Sequence, residues 1–170
     1  MRVSVRIRVL AGAATAAMAL AIPLTTPVPA SAALKPSVAC GAITDKLVGT
    51  TATSVLSKCT PAALSAGGTA VTLKTPPPGS KKGSLGTKIT WKGGQGTTTT
   101  AATFTLQPTR GSCPVGMTRI TVGPGSVKIV SGAAAKIIKV GEPVSATICA
   151  FVSGPKKGQI KLAPGTKYML

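Results

Sequence analysis

The chain has 170 residues, with 20 Lys and Arg against 2 Asp and Glu, no His, a formal charge of +18 and 2% aromatic residues. With single acidic residues of each kind (Asp45 and Glu142) and neither histidine nor asparagine, it lacks the parts for most acid/base, metal and triad chemistries. The expectation is a noncatalytic protein with no cofactor and no metal site.

Arg2, Arg6 and Arg8 precede an apolar run over residues 9–22, and Ala30, Ser31 and Ala32 follow. This is the pattern of a secretory signal peptide over residues 1–32. At about 1.5 Å per residue the run reaches roughly 21 Å, short of the ~30 Å hydrocarbon core that a permanent anchor must cross. Cleavage after Ala32 leaves one domain over residues 33–170, lowers the charge to +15 by removing the three arginines, and leaves no transmembrane segment. The protein is expected outside the membrane, either extracellular or held at the cell envelope.

Cys40, Cys59, Cys113 and Cys149 all follow the leader. An even count in an exported chain reads as disulfides, and sequence order favours Cys40–Cys59 with Cys113–Cys149 among three connectivities. No C-x-x-C spacing or histidine supports a metal site instead.

Segments that alternate apolar with polar residues predict strands at 70–74, 88–92, 103–107, 119–122, 127–129, 136–140, 145–152 and 159–162. Between them stand turn formers: Gly67–Gly68, Pro76 to Gly79, Gly93–Gly94, Gly111, Gly123 to Gly125, Gly132, Gly141 and Gly154–Pro155. A helical element fits only near residues 61–65. Short strands at this spacing predict an all-β fold, an antiparallel β-sandwich, with an immunoglobulin-like strand order as one option. Residues 75–86 read as a mobile surface loop with an extended Pro76 to Pro78, and Thr97 to Thr100 as an ordinary strand of high β-propensity, with an outward threonine ladder as the alternative.

Because residues two apart share a face, Ile89 and Trp91 are assigned to the core, and Lys74, Lys88, Lys92, Arg119, Lys128 and Lys161 to the outside. Phe104 and Phe151 also fall on core-facing positions. Lys81–Lys82 and Lys156–Lys157, set in Gly/Pro turns, are the candidate polyanion-binding patches. Such a surface attracts anionic cell-wall polymers, acidic polysaccharides and lipid headgroups. Nucleic acid is a poor fit, since single-strand binders need exposed aromatics for base stacking.

Catalytic patterns fail on context. Ser153 and Lys156 have S-x-x-K spacing but enclose Gly154–Pro155, which makes a turn rather than a helix. Residues 83–88 end Gly-Thr-Lys, not in the Gly-Lys-Thr order of a phosphate loop. Glu142, between Gly141 and Pro143, reads as a turn residue.

The leader, Cys40-Gly41, the Leu56 to Thr60 segment, Ala66 to Thr69, Lys88 to Gly94 with the Thr97 to Thr100 run, and Gly111 to Pro114 together give a resemblance. Over Cys40 to Cys113 the chain resembles small exported, disulfide-containing β proteins of actinomycete bacteria. The resemblance implies an exported, disulfide-stapled β domain and carries over no active site. The expected function is a binding or structural module that contacts anionic polymers through its lysines. The alternative is a cationic secreted effector acting on anionic membranes or other cells.

Overall fold

The computed structural model describes residues 33–48, 51–74 and 80–170. The leader over residues 1–32, the Pro76 to Pro78 stretch and the side chain of Lys74 lie outside the described residues. The strands are β1 (Ala39–Val48), β2 (Thr51–Thr60), β3 (Gly68–Lys74), β4 (Lys82–Trp91), β5 (Gly96–Leu106), β6 (Thr118–Ser131), β7 (Pro143–Ala150), β8 (Ile160–Leu162) and β9 (Tyr168–Met169). From β1 to β8 each strand pairs antiparallel with the next, and β8 pairs back onto β1, with Thr44 opposite Lys161. Strand β9 also lies between β1 and β7, with Tyr168 opposite Cys40 and Met169 opposite Ser145. Strands β8 and β9 are therefore the two halves of one stave, separated by the turn at Pro164 and Gly165.

The fold is a closed, eight-stranded antiparallel β-barrel, which corrects the expected sandwich. Both architectures bury alternate residues of every strand, so their local patterns coincide. Closure depends instead on long-range pairing between the first and eighth staves and on bends that curl the sheet. Those bends sit where the β5–β6 and β6–β7 ladders shift register, at Ala102/Phe104 and Val122/Gly125. Gly123 to Gly125 is thus a bulge within the single 14-residue β6, not a turn between two strands. A side chain at Gly125 would collide with the Cβ of Ala102 and come within 2.7 Å of the Ala101 carbonyl oxygen, so the close approach of β5 and β6 requires glycine there.

The antiparallel path puts alternate connections at opposite ends. One end is packed shut. Leu64, on a short 3-10 turn at Ala62–Leu64, joins Val38, Leu56, Ile89, Trp91, Ala134, Ile138 and Leu170 in one buried cluster. The Trp91 indole N–H donates to Thr98 Oγ1 at 2.9 Å, so its burial leaves no polar atom unpaired. Residues 136–140, expected as a strand, instead leave a 3-10 turn (Gly132–Lys136) and fold over this end. Glu142 holds that crossing: its carboxylate accepts from Ser37 N at 3.0 Å, Ser37 Oγ at 2.6 Å and Lys139 N at 2.7 Å. Ile138 is thereby driven inward as a plug, which a local alternation pattern cannot distinguish from a strand residue.

The disulfides are Cys40–Cys59 and Cys113–Cys149. The first bridges directly opposite residues of β1 and β2. The second ties the β5–β6 connection to β7 within a small cluster containing Met117, Ala163 and Phe151. Two such bridges indicate an oxidising compartment. Among the described residues no helix is long and apolar enough to cross a membrane.

Candidate functional site

At the other end the described residues do not fill the barrel. Inside it lies a cavity of about 550 Å³. At about 30 Å³ per water this is room for well over a dozen molecules, far beyond a packing defect, and it falls within the size range of small-ligand sites. Inward positions of the staves line it. Ala102, Phe104 and Leu106 come from β5, Ile120 and Val122 from β6, Val144, Ala146 and Ile148 from β7, and Ile160 from β8. This half of the wall is apolar throughout.

The wall formed by β1 to β5 differs. Asp45, Ser54, Thr72, Thr87 and Thr100 face the same cavity. Register places Asp45 opposite Ser54, Thr72 opposite Thr87, and Thr87 opposite Thr100. Tyr168 crosses the lumen from the eighth stave, its hydroxyl bonded to Thr100 on β5. Its ring, 9% exposed, lines the cavity and belongs to the main buried cluster. Burial pushes the Tyr168 hydroxyl up to about 12, against the smaller opposing effect of the Thr100 bond.

Asp45 is the only acidic side chain in the cavity wall. Burial raises its pKa above the usual carboxylate range, and the bond from Ser54 opposes this only in part. Its Oδ1 is buried with no hydrogen-bond partner. A carboxyl group in that setting binds a proton more readily than in water and keeps an unused hydrogen-bonding position toward the lumen.

The rim lies at the hairpin ends. Ser80, Leu106, Ile120, Val152 and Ile160 line the cavity there and are part-exposed, Val152 to 45%. The β3–β4 and β7–β8 connections emerge at this same end, four staves apart in an eight-stave ring, so they flank the mouth from opposite sides. Lys81 belongs to the first and Lys82 begins β4 beside it, Lys156 and Lys157 belong to the second, and all four are exposed. The structure thus brings the two lysine pairs to one end. Lys81 is next to the lumen, its carbonyl accepting from the N–H of the lining residue Leu106 at 2.7 Å. Lys156 Nζ sits 5.7 Å from the centre of the Phe151 ring. Arg110 is exposed on the intervening β5–β6 connection. Neither acidic residue of the chain lies in these connections, since Asp45 is in β1 and Glu142 is at the packed end.

Other expected features fall in ordinary places. Lys88, Lys92, Lys128 and Lys161 are exposed on the outer wall or at its turns, whereas Arg119 is half-buried. Ser153 and Lys156 occupy a turn, with Lys157 N donating to Gly154 O at 3.0 Å. Residues 83–88 belong to strand β4, which corrects the mobile-loop reading for residues 82–86. The threonine run is not an outward ladder, because Thr98 and Thr100 are buried while Thr97 and Thr99 are half-exposed.

Sequence reasoning missed the lumen-facing Asp45, Thr100 and Tyr168. The available signal for Asp45 was its position two residues after the apolar Ile43, on the same face of one strand. Fold and site together define a class: a closed antiparallel barrel whose described residues enclose a half-apolar, half-polar lumen with lysines at one end. Comparison with protein-family models, with curated proteins and with solved structures finds no match to this chain.

Proposed function

We propose that the protein is an exported, noncatalytic binding protein whose barrel takes one small, largely apolar molecule. Its lysine-rich exterior keeps it at the anionic polymers or lipid headgroups of the cell envelope. The lumen carries this reading. Eight-stranded barrels either fill their interior with side chains or hold one small ligand, and a 550 Å³ cavity supports the second use. The exterior matches a water-facing barrel. Lys88, Thr90, Thr103, Thr105, Ser145 and Lys161 are exposed where a membrane-spanning barrel carries an apolar band.

The test is titration of the oxidised protein with N-phenyl-1-naphthylamine, a neutral apolar fluorophore. Saturable binding near one molecule per chain supports the reading, and fluorescence that rises without saturation overturns it. Envelope retention is tested separately by washing protein-loaded cell envelopes in low and high salt. Salt-reversible retention supports the role of the lysines, and no retention at low salt removes it.

A second reading, a cationic effector on anionic membranes, draws on Val115 and Val152. These are 83% and 45% exposed, and both belong to mouth-end connections that carry basic residues. It requires leakage of dye from anionic vesicles, whereas the carrier reading requires intact vesicles.

A further inference from the structure

The ligand of the lumen can be narrowed from the way charge and apolar surface are distributed along the barrel. We infer that it is a single-chain anionic amphiphile, a long-chain carboxylate or its phosphate counterpart, bound tail first with its anionic end at the lysine-flanked mouth. This rests on the binding reading above and adds to it the polarity, charge and orientation of the ligand.

Two observations converge. The β5 to β8 wall, from Ala102 through Phe104, Val122 and Ala146 to Ile148, offers continuous apolar surface for a hydrocarbon chain. Burying such a chain removes apolar surface from water, and it needs no directional partner. The mouth is flanked from opposite sides by Lys81–Lys82 and Lys156–Lys157, with Arg110 between them. Opposed cationic pairs at the rim of a low-dielectric lumen focus field toward an anion placed at its centre. Tail-first binding sets the chain against the apolar wall and leaves the anionic end among these cations.

The polar wall fits the same orientation. Asp45, Ser54, Thr72, Thr87 and Thr100 stand on one side of the lumen, so an oxygen-bearing function partway along the chain finds partners only toward β1 to β5. Tyr168 also lines the lumen, bonded to Thr100.

The experiment is displacement of N-phenyl-1-naphthylamine from the oxidised protein by tetradecanoate and by its neutral methyl ester, in low salt and near 0.5 M salt, where the Debye length falls to about 4 Å. The expected result is that the acid displaces the fluorophore at least about tenfold more effectively than the ester at low salt, with most of that advantage lost at high salt. In the Lys81→Glu/Lys156→Glu variant the advantage disappears, while affinity for the neutral fluorophore stays within about twofold. Equal displacement by acid and ester from a protein that saturates with the fluorophore overturns this inference and leaves the binding reading standing. Absence of saturation overturns the binding reading itself. Monododecyl phosphate in place of the acid separates the two headgroups, and displacement by either supports the class. Sedimentation with phosphatidylglycerol vesicles and no displacement by any soluble amphiphile overturns the inference, because the lysines then serve a membrane surface alone.

Discussion

Replacing Ala146 by leucine tests whether the lumen is space or core, because the two possibilities differ in sign. Ala146 lies mid-strand in β7, opposite Val122, and faces the cavity. Leucine adds three carbons, which at about 0.8 kcal/mol per buried methylene is worth up to ~2.4 kcal/mol. Ordering the longer side chain costs about 0.5–1 kcal/mol, leaving a net gain of about 1–2 kcal/mol and a rise in Tm of roughly 5 °C. The control is Ala134→Leu at the packed end: Ala134, 0% exposed, belongs to the same buried cluster as Ala146 but does not line the cavity. With no room to expand, that change is expected to destabilise by about 1–3 kcal/mol. Urea unfolding of the oxidised proteins, followed by fluorescence of the single buried Trp91, measures both. The Ala146 variant should also lose most of its affinity for the neutral fluorophore. Destabilisation at Ala146 as large as at Ala134 would refute the cavity argument.

Asp45→Asn should change how stability depends on pH. The folded state holds the Asp45 proton more tightly than the unfolded chain, so this group's contribution to stability declines as pH rises from about 3.8 through the raised folded-state value. The variant should lack that decline and be the more stable protein at pH 7 in urea unfolding. A variant less stable than the parent at pH 7 would show that Asp45 is favourably solvated when charged. Tyr168, the only tyrosine, should show no phenolate absorbance near pH 10 and ionise near 12, or on unfolding if that comes first, in an ultraviolet titration of the folded protein. Ionisation near 10 would mean that the ring is not buried in the lumen. Glu142→Ala, which strips the shared acceptor from Ser37 N, Ser37 Oγ and Lys139 N, should cost about 2–3 kcal/mol by denaturant unfolding, and Glu142→Gln less.

Strands β4, β5 and β7 were legible because their buried faces carry Ile89 and Trp91, Phe104, and Val144 and Ile148, against threonine, serine and lysine outside. The disulfide pairing followed from sequence order, since each bridge joins cysteines adjacent in the chain. Strands β1 and β2 were not legible, and the reason is the site itself. Asp45 and Ser54 occupy inward positions where a core strand would carry apolar residues, so the alternation breaks where the lumen becomes polar. Thr98 and Thr100 escaped for a related reason, because threonine suits either face of a pleated sheet and only a partner such as Trp91 Nε1 reveals which it takes. Closure was beyond any local pattern. The pairing of Thr44 with Lys161 is a long-range choice, and Gly125, which reads as a turn former, acts as a bend within one strand.

The position of the lysine pairs shows the same division. Their Gly/Pro turn setting was visible in the chain, but that the two pairs flank one opening follows only from an even number of staves closed in a ring. Adjacent connections alternate ends, so β3–β4 and β7–β8 must share one.

The central claim is that a small apolar molecule occupies the barrel lumen, and the most direct measurement is a methyl-resolved NMR titration with N-phenyl-1-naphthylamine. The account expects saturable shifts at Leu85, Ile120, Val122, Val144 and Ile148, which line the cavity, and none at the outward, 60% exposed Ile129. Shifts confined to Ile129, Val115 and other outer methyls, with the lumen methyls unmoved at saturation, would contradict it.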